Sequence, residues 1–146
     1  MTSPASRAFD RWAPRYARHY ARWTLGLAFL SGIASRFGWW GPGRGYGTFA
    51  NFIKYTAQVN SFMPARTIPF LAWAATVAEA SLGLALLLPL RGRAARVVAL
   101  ASAALLAVFG LAMAVSFGPK EPLDYSVFSA SAAALLLARR SESEAP

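Results

Sequence analysis

Cysteine is absent from all 146 residues, and histidine occurs once, as His19. The first absence excludes a disulfide scaffold, an iron–sulfur centre, a thiolate zinc site and any thiol relay of the chain's own. The second leaves no multi-histidine metal site and no bis-histidine haem, so no metal is expected. Charge is scarce as well: 14% of residues are charged, against about 25% in an ordinary soluble domain. With 56% hydrophobic residues the chain is not a disordered one. No nucleophile–base pair with an orienting group stands out. The glycine-rich turn at Gly41-Pro42-Gly43-Arg44-Gly45-Tyr46-Gly47 has no Gly-Lys-Ser/Thr after it, so it is not a phosphate loop.

What the sequence does hold is arginine and long apolar runs. Lysine and arginine number 15 against 6 acids, a net charge of +9. Such a charge suits nucleic acid, anionic lipid or an acidic partner. The cations sit beside apolar runs, and nucleic acid binding would leave those runs unexplained. A helix crossing ~30 Å of hydrocarbon needs about 20 apolar residues. Four segments approach this: 23–37, with Arg22 and Arg36 at its ends, where both can snorkel to the interfaces; 68–90; 97–117; and 125–138. The expected fold is all-α, an integral membrane four-helix bundle within the lipid bilayer. Its parts are a basic amphipathic segment (1–21), the four-span domain (22–138) and a polar tail (139–146). Ten cations fall on the side of the N-terminus, second loop and C-terminus, and five on the other. The positive-inside rule then puts both termini in the cytoplasm of a cell whose inner (plasma) membrane holds the protein. A rival reading makes 1–37 a cleaved leader, although its basic region is overlong at 22 residues.

Two amphipathic stretches flank the first span. Arg7, Arg11, Arg15, Arg18 and Arg22 form one helical stripe, and Phe9, Trp12, Tyr16, Tyr20 and Trp23 an opposite one. Pro14 is expected to divide this segment into two short helices. The pattern fits either topogenic anchoring or a helix in the headgroup layer of an anionic leaflet. In the first loop, Phe49, Phe52, Ile53, Thr56, Val59 and Met63 fall at helical spacing, closed by Pro64, which predicts an amphipathic helix. It reads as a structural lid or as a ligand gate. On the third span, Ala99, Ala103, Ala107, Gly110 and Ala114 form a small-residue stripe that lets a neighbour approach closely.

Glu79 lies about 11 residues into the second span, ~16 Å deep at 1.5 Å per residue. An acid at that depth costs at least ~2.5–3.5 kcal/mol on insertion scales and marks a functional-site hypothesis. It suits a quinone headgroup or a proton relay. Equally, it suits a polar clip holding two helices in register. Ser31, Thr76, Ser102 and Ser129 are its candidate partners. Tyr125 and Asp124, where the last span begins, read either as site residues or as an interfacial anchor and a helix-dipole partner.

These residues resemble the DoxX family of small four-helix bacterial membrane proteins. The likeness runs through 29–38 at the end of the first span, 52–64 (FIKYTAQVNSFMP), 71–88 (LAWAATVAEASLGLALLL) and 122–138 (PLDYSVFSASAAALLLA). Ala78-Glu79 followed by Gly83 looks like that family's mark, with Arg36 second. The resemblance implies a redox association: a membrane subunit or quinone-facing partner of a complex, with quinone as the ligand and a soluble or membrane oxidoreductase as partner. Glu79 would be the cofactor-facing residue, and the chain a subunit rather than a stand-alone enzyme. A carrier of lipid or a small hydrophobe, a scaffold for a soluble oxidoreductase, and a homo-oligomer stay open.

Overall fold

The computed structural model describes residues 4–139, without the side chains of 4–11, 14 and 15. The basic stripe at Arg7, Arg11 and Arg15, and the tail beyond Arg139, therefore fall outside the described side chains and residues. The described residues form helices and turns, with no strand among them.

Helix α1 (Pro4–Arg36) is one uninterrupted helix of 33 residues. The expected division at Pro14 does not occur. A proline removes one N–H rung, and the flanking rungs carry the helix through it. A glycine-rich turn leads to α2 (Phe49–Val59), capped by Thr48, whose hydroxyl accepts from the Asn51 N–H at 3.3 Å. This is the predicted loop helix, but it stops one turn before Pro64. Asn60 ends it, returning both its backbone N–H (3.0 Å) and its Nδ2 (2.9 Å) to the Thr56 carbonyl.

A 3-10 turn (Ala65–Thr67) opens α3 (Ile68–Leu87), which ends where Leu88 turns extended ahead of Pro89. α4 (Gly92–Phe117) begins five residues before the expected span and takes in Arg93 and Arg96. A short α5 (Lys120–Asp124) precedes α6 (Val127–Ala138), and Ser126, left-handed at φ 56°, breaks them apart.

α1 packs along α3 and α4 along α6; the pairs meet through α1 with α6 and α3 with α4. Leu25, Phe29, Leu86, Ala103 and Ala134 fill the junction. Close approach comes from small residues. A Cβ on Gly26 would lie 3.0 Å from the Gly83 carbonyl oxygen, and one on Gly110 would lie 2.7 Å from the Phe128 ring. The second contact uses the small-residue stripe seen in the sequence.

The outward surfaces are the apolar ones. Phe70, Trp73, Val77 and Leu84 of α3, and Val97, Val108, Leu111 and Val115 of α4, are all more than half exposed. Thr76 and Glu79 are buried instead, as are Ser102 and Ser131. A water-soluble domain arranges these classes the other way round. Two helical segments, 65–87 and 92–117, are long and apolar enough to cross a membrane, with mean hydropathy 1.7 and 2.4. α6, at 12 residues, spans ~18 Å at 1.5 Å per residue and falls short of that length.

One end of the molecule is basic. Arg22 reaches over the C-terminus of α3, donating from Nε (3.1 Å) and Nη2 (3.0 Å) to the Leu86 carbonyl, and from Nη2 also to that of Leu88. It satisfies acceptors that a helix end leaves open.

Candidate functional site

Side chains spaced three and four apart share one face of a helix. On α3 that face is Ile68, Ala72, Thr76, Glu79, Gly83 and Leu86, all buried. Its middle is polar, and α1 ends opposite it. Arg36, the last residue of α1, is only 4% exposed and does not snorkel to an interface as the sequence suggested. The span it terminates is short, so its guanidinium stops halfway along α3 and meets Glu79 there.

Arg36 Nη2 donates to Glu79 Oε1 at 2.5 Å, and Nη1 donates to Thr76 Oγ1 at 2.9 Å. Thr76 Oγ1 in turn donates a hydrogen bond to the Ala72 carbonyl at 2.7 Å. Gly32, one turn before Arg36, leaves room for the second carboxylate oxygen: a Cβ there would lie 3.1 Å from Glu79 Oε2. Arg36 Nε is buried without a partner. The guanidinium carbon sits 3.8 Å from the centre of the Phe52 ring, a cation–π contact supplied by α2.

Phe52 belongs to an aromatic roof. Tyr46 meets it edge-on at 5.1 Å and Tyr55 at 5.2 Å, while Phe49 packs on Trp73 of α3 at 4.3 Å. The glycine-rich turn places Tyr46. Ser35, next to Arg36, accepts the Tyr46 N–H on its hydroxyl and the Gly47 N–H on its carbonyl, both at 3.0 Å. Gly45 has φ +67°, and a Cβ there would strike the Ser35 hydroxyl at 1.9 Å, so glycine alone fits. Burial pushes the Tyr46 phenol above its usual range, helped by Tyr55 and opposed by Arg36. Tyr55 moves the same way, chiefly by burial. The far end of α2 is tied down by Ser116 of α4, which donates to the Val59 carbonyl at 2.6 Å.

Of the four residues singled out in the sequence, the structure joins Arg36 and Glu79. Tyr125 is 68% exposed and contributes electrostatically to Tyr46 and Tyr55 from the edge of the roof. Asp124 pairs with Lys120 one turn away on the surface. Among the expected partners of Glu79, Thr76 joins the cluster through Arg36. Ser102 turns back to the Val98 carbonyl, and Ser31 and Ser129 are exposed. Sequence reasoning missed Tyr46 and the contact of Phe52 with Arg36, although Phe52 stood on the predicted apolar face of the loop helix.

Chemically the cluster is a charge pair shielded from water, with one free N–H donor beside aromatic ring faces. Among the described residues no group of histidines and carboxylates could hold a metal ion. Compared with protein-family models, curated proteins and solved structures, the chain matches none of them.

Proposed function

We propose that the chain is an integral membrane protein, a DoxX-like bundle of four helices. In this reading it serves a membrane redox complex as a quinone-facing subunit and is not itself a stand-alone enzyme. The apolar outward faces of α3 and α4 favour the membrane, and the basic end at Arg22, Arg91, Arg93, Arg96 and Arg139 favours a cytoplasmic position for that end. The observation that carries the ligand is Arg36 Nε, a buried N–H donor with no acceptor. Leaving such a group unsatisfied costs on the order of 1–3 kcal/mol. A quinone carbonyl is an acceptor without charge, and its flat ring suits the aromatic surroundings that Phe52 and Tyr46 give the guanidinium. Arg36 and Phe52 would hold the headgroup while Glu79 fixes the guanidinium. The quinone, when bound, supplies the two-electron chemistry for a partner oxidoreductase.

A second reading is favoured by the satisfied Nη1 and Nη2 atoms. The cluster is then a clip between α1 and α3, and the protein a scaffold that recruits a soluble oxidoreductase. One experiment separates the two: native mass spectrometry of protein extracted in a mild detergent with its own lipids. Retained quinone, lost in Arg36→Lys, supports the first reading, because lysine keeps the charge opposite Glu79 but has no Nε–H donor. A soluble protein co-purifying without any small molecule supports the scaffold. Protein bare of both overturns the quinone site.

A further inference from the structure

At the basic end, α4 and α6 leave a shallow groove between them, lined by Arg96, Leu100, Ala132, Leu135, Leu136 and Arg139. Its chemistry changes along its length. On α4, Leu100 lies one turn beyond Arg96; near the end of α6, Leu135 and Leu136 lie one turn before Arg139, the extended residue that caps the helix. Arg96 and Leu100 share a face of α4, and Arg139 follows directly on the helix that carries Leu135 and Leu136, so both sides of the groove offer an arginine at the mouth and leucine further in. All five of these side chains are exposed. The described ion pairs are Arg36–Glu79 and Lys120–Asp124, so no described carboxylate neutralises either groove arginine.

We infer that this groove is a binding site for an anionic phospholipid. A phosphodiester lies between the guanidiniums of Arg96 and Arg139, and an acyl chain runs along Leu100, Leu135 and Leu136. Arg96 on α4 and Arg139 at the end of α6 both line this one groove, and guanidiniums from two segments suit an oxyanion shared between two donors. The apolar continuation of the groove suits a lipid rather than a free phosphate. Basic grooves between spans on the cytoplasmic side are where anionic headgroups bind. The inference rests on the membrane reading proposed above, and on nothing at the Arg36–Glu79 cluster.

The test uses the full chain in nanodiscs of phosphatidylcholine doped with phosphatidylglycerol, with retained lipid counted by native mass spectrometry. Wild type is expected to retain phosphatidylglycerol preferentially. The double variant Arg96→Gln/Arg139→Gln should bind it at least roughly tenfold more weakly, because it loses the charge-assisted hydrogen bonds to the phosphodiester and not only surface charge. Arg91→Gln/Arg93→Gln removes the same charge from exposed positions outside the groove and should leave retention within a few-fold of wild type. Equal losses in both double variants would mean a diffuse surface effect and overturn the site. So would equal retention of the two lipids by wild type. Full displacement by millimolar inorganic phosphate would also overturn it, in favour of a free anion. Carbonate washing of membranes reads the underlying premise separately. Protein released by carbonate sinks the membrane reading, whereas protein retained without arginine-dependent lipid sinks this inference alone.

Discussion

Arg36 and Glu79 lie 43 positions apart in sequence and meet at 2.5 Å inside the protein, one ending α1 and the other midway along α3. Their side chains are 5% and 7% exposed, so each charge depends on the other for compensation. Breaking such a pair costs about 3–5 kcal/mol, whereas replacing both members with apolar residues of similar volume is close to neutral. Arg36→Met and Glu79→Leu should each lower thermal stability in detergent steeply, and the double variant should recover most of the loss. Strictly additive losses in the double-mutant cycle would show that the two residues are not coupled.

The α1–α3 crossing sets that meeting point and has its own test. A methyl group on Gly26 would sit 2.9 Å from Leu87 Cδ2 and 3.0 Å from the Gly83 carbonyl oxygen. The leucine can move aside; the backbone oxygen cannot without separating the helices. Gly26→Ala should therefore destabilise by about 1–3 kcal/mol, as overpacking does. It should also weaken the Arg36–Glu79 contact, so combining it with Glu79→Leu should cost less than the sum of the two. A melting temperature unchanged by Gly26→Ala would contradict the close crossing.

Much of this was legible beforehand because apolar runs and a lone acid are conspicuous. Glu79 stands out as the single charge between Ile68 and Leu90. The helical character of 49–59 follows from the spacing of Phe49, Phe52, Thr56 and Val59. Arg36 was harder to place, since an arginine at the end of a span ordinarily reaches water. Its burial follows from α1 stopping halfway along α3 while α2 covers the remainder, a relation between elements that no local pattern carries. Pro14 misled for the opposite reason: a local rule predicted a break that the continuous helix overrides. Tyr46 was hidden among the glycines, and only the hydrogen bonds of Ser35 show that the turn is folded to hold it.

Alkaline titration should reveal Tyr46. Its hydroxyl is held above the usual tyrosine value of about 10, mainly by burial. Above that value the unfolded chain gives up this proton first while the folded chain keeps it. Stability is then fully present below the ordinary tyrosine range and falls as pH rises beyond it. Tyr46→Phe should flatten that alkaline decline without changing its neutral baseline by more than the lost contacts of one hydroxyl. Tyrosinate absorbance should show wild type with a late-titrating phenol that the variant lacks. A decline equally steep in the variant would assign the effect to other groups, Tyr55 among them.

The absence of cysteine makes topology directly measurable, because any introduced thiol is unique. Gln58 is exposed on α2, and Ala94 is exposed near the start of α4, at the basic end. If the basic end faces the cytoplasm, a membrane-impermeant maleimide added to intact cells should label Gln58→Cys and spare Ala94→Cys. Permeabilising the cells should bring the second to the level of the first. Arg22, Arg91, Arg93, Arg96 and Arg139 all belong to the spared end, so reversing the pattern requires moving several charges at once. Labelling of both positions in intact cells would mean that the two do not lie on opposite sides of a membrane. The apolar faces of α3 and α4 would then have to be covered by protein instead of lipid.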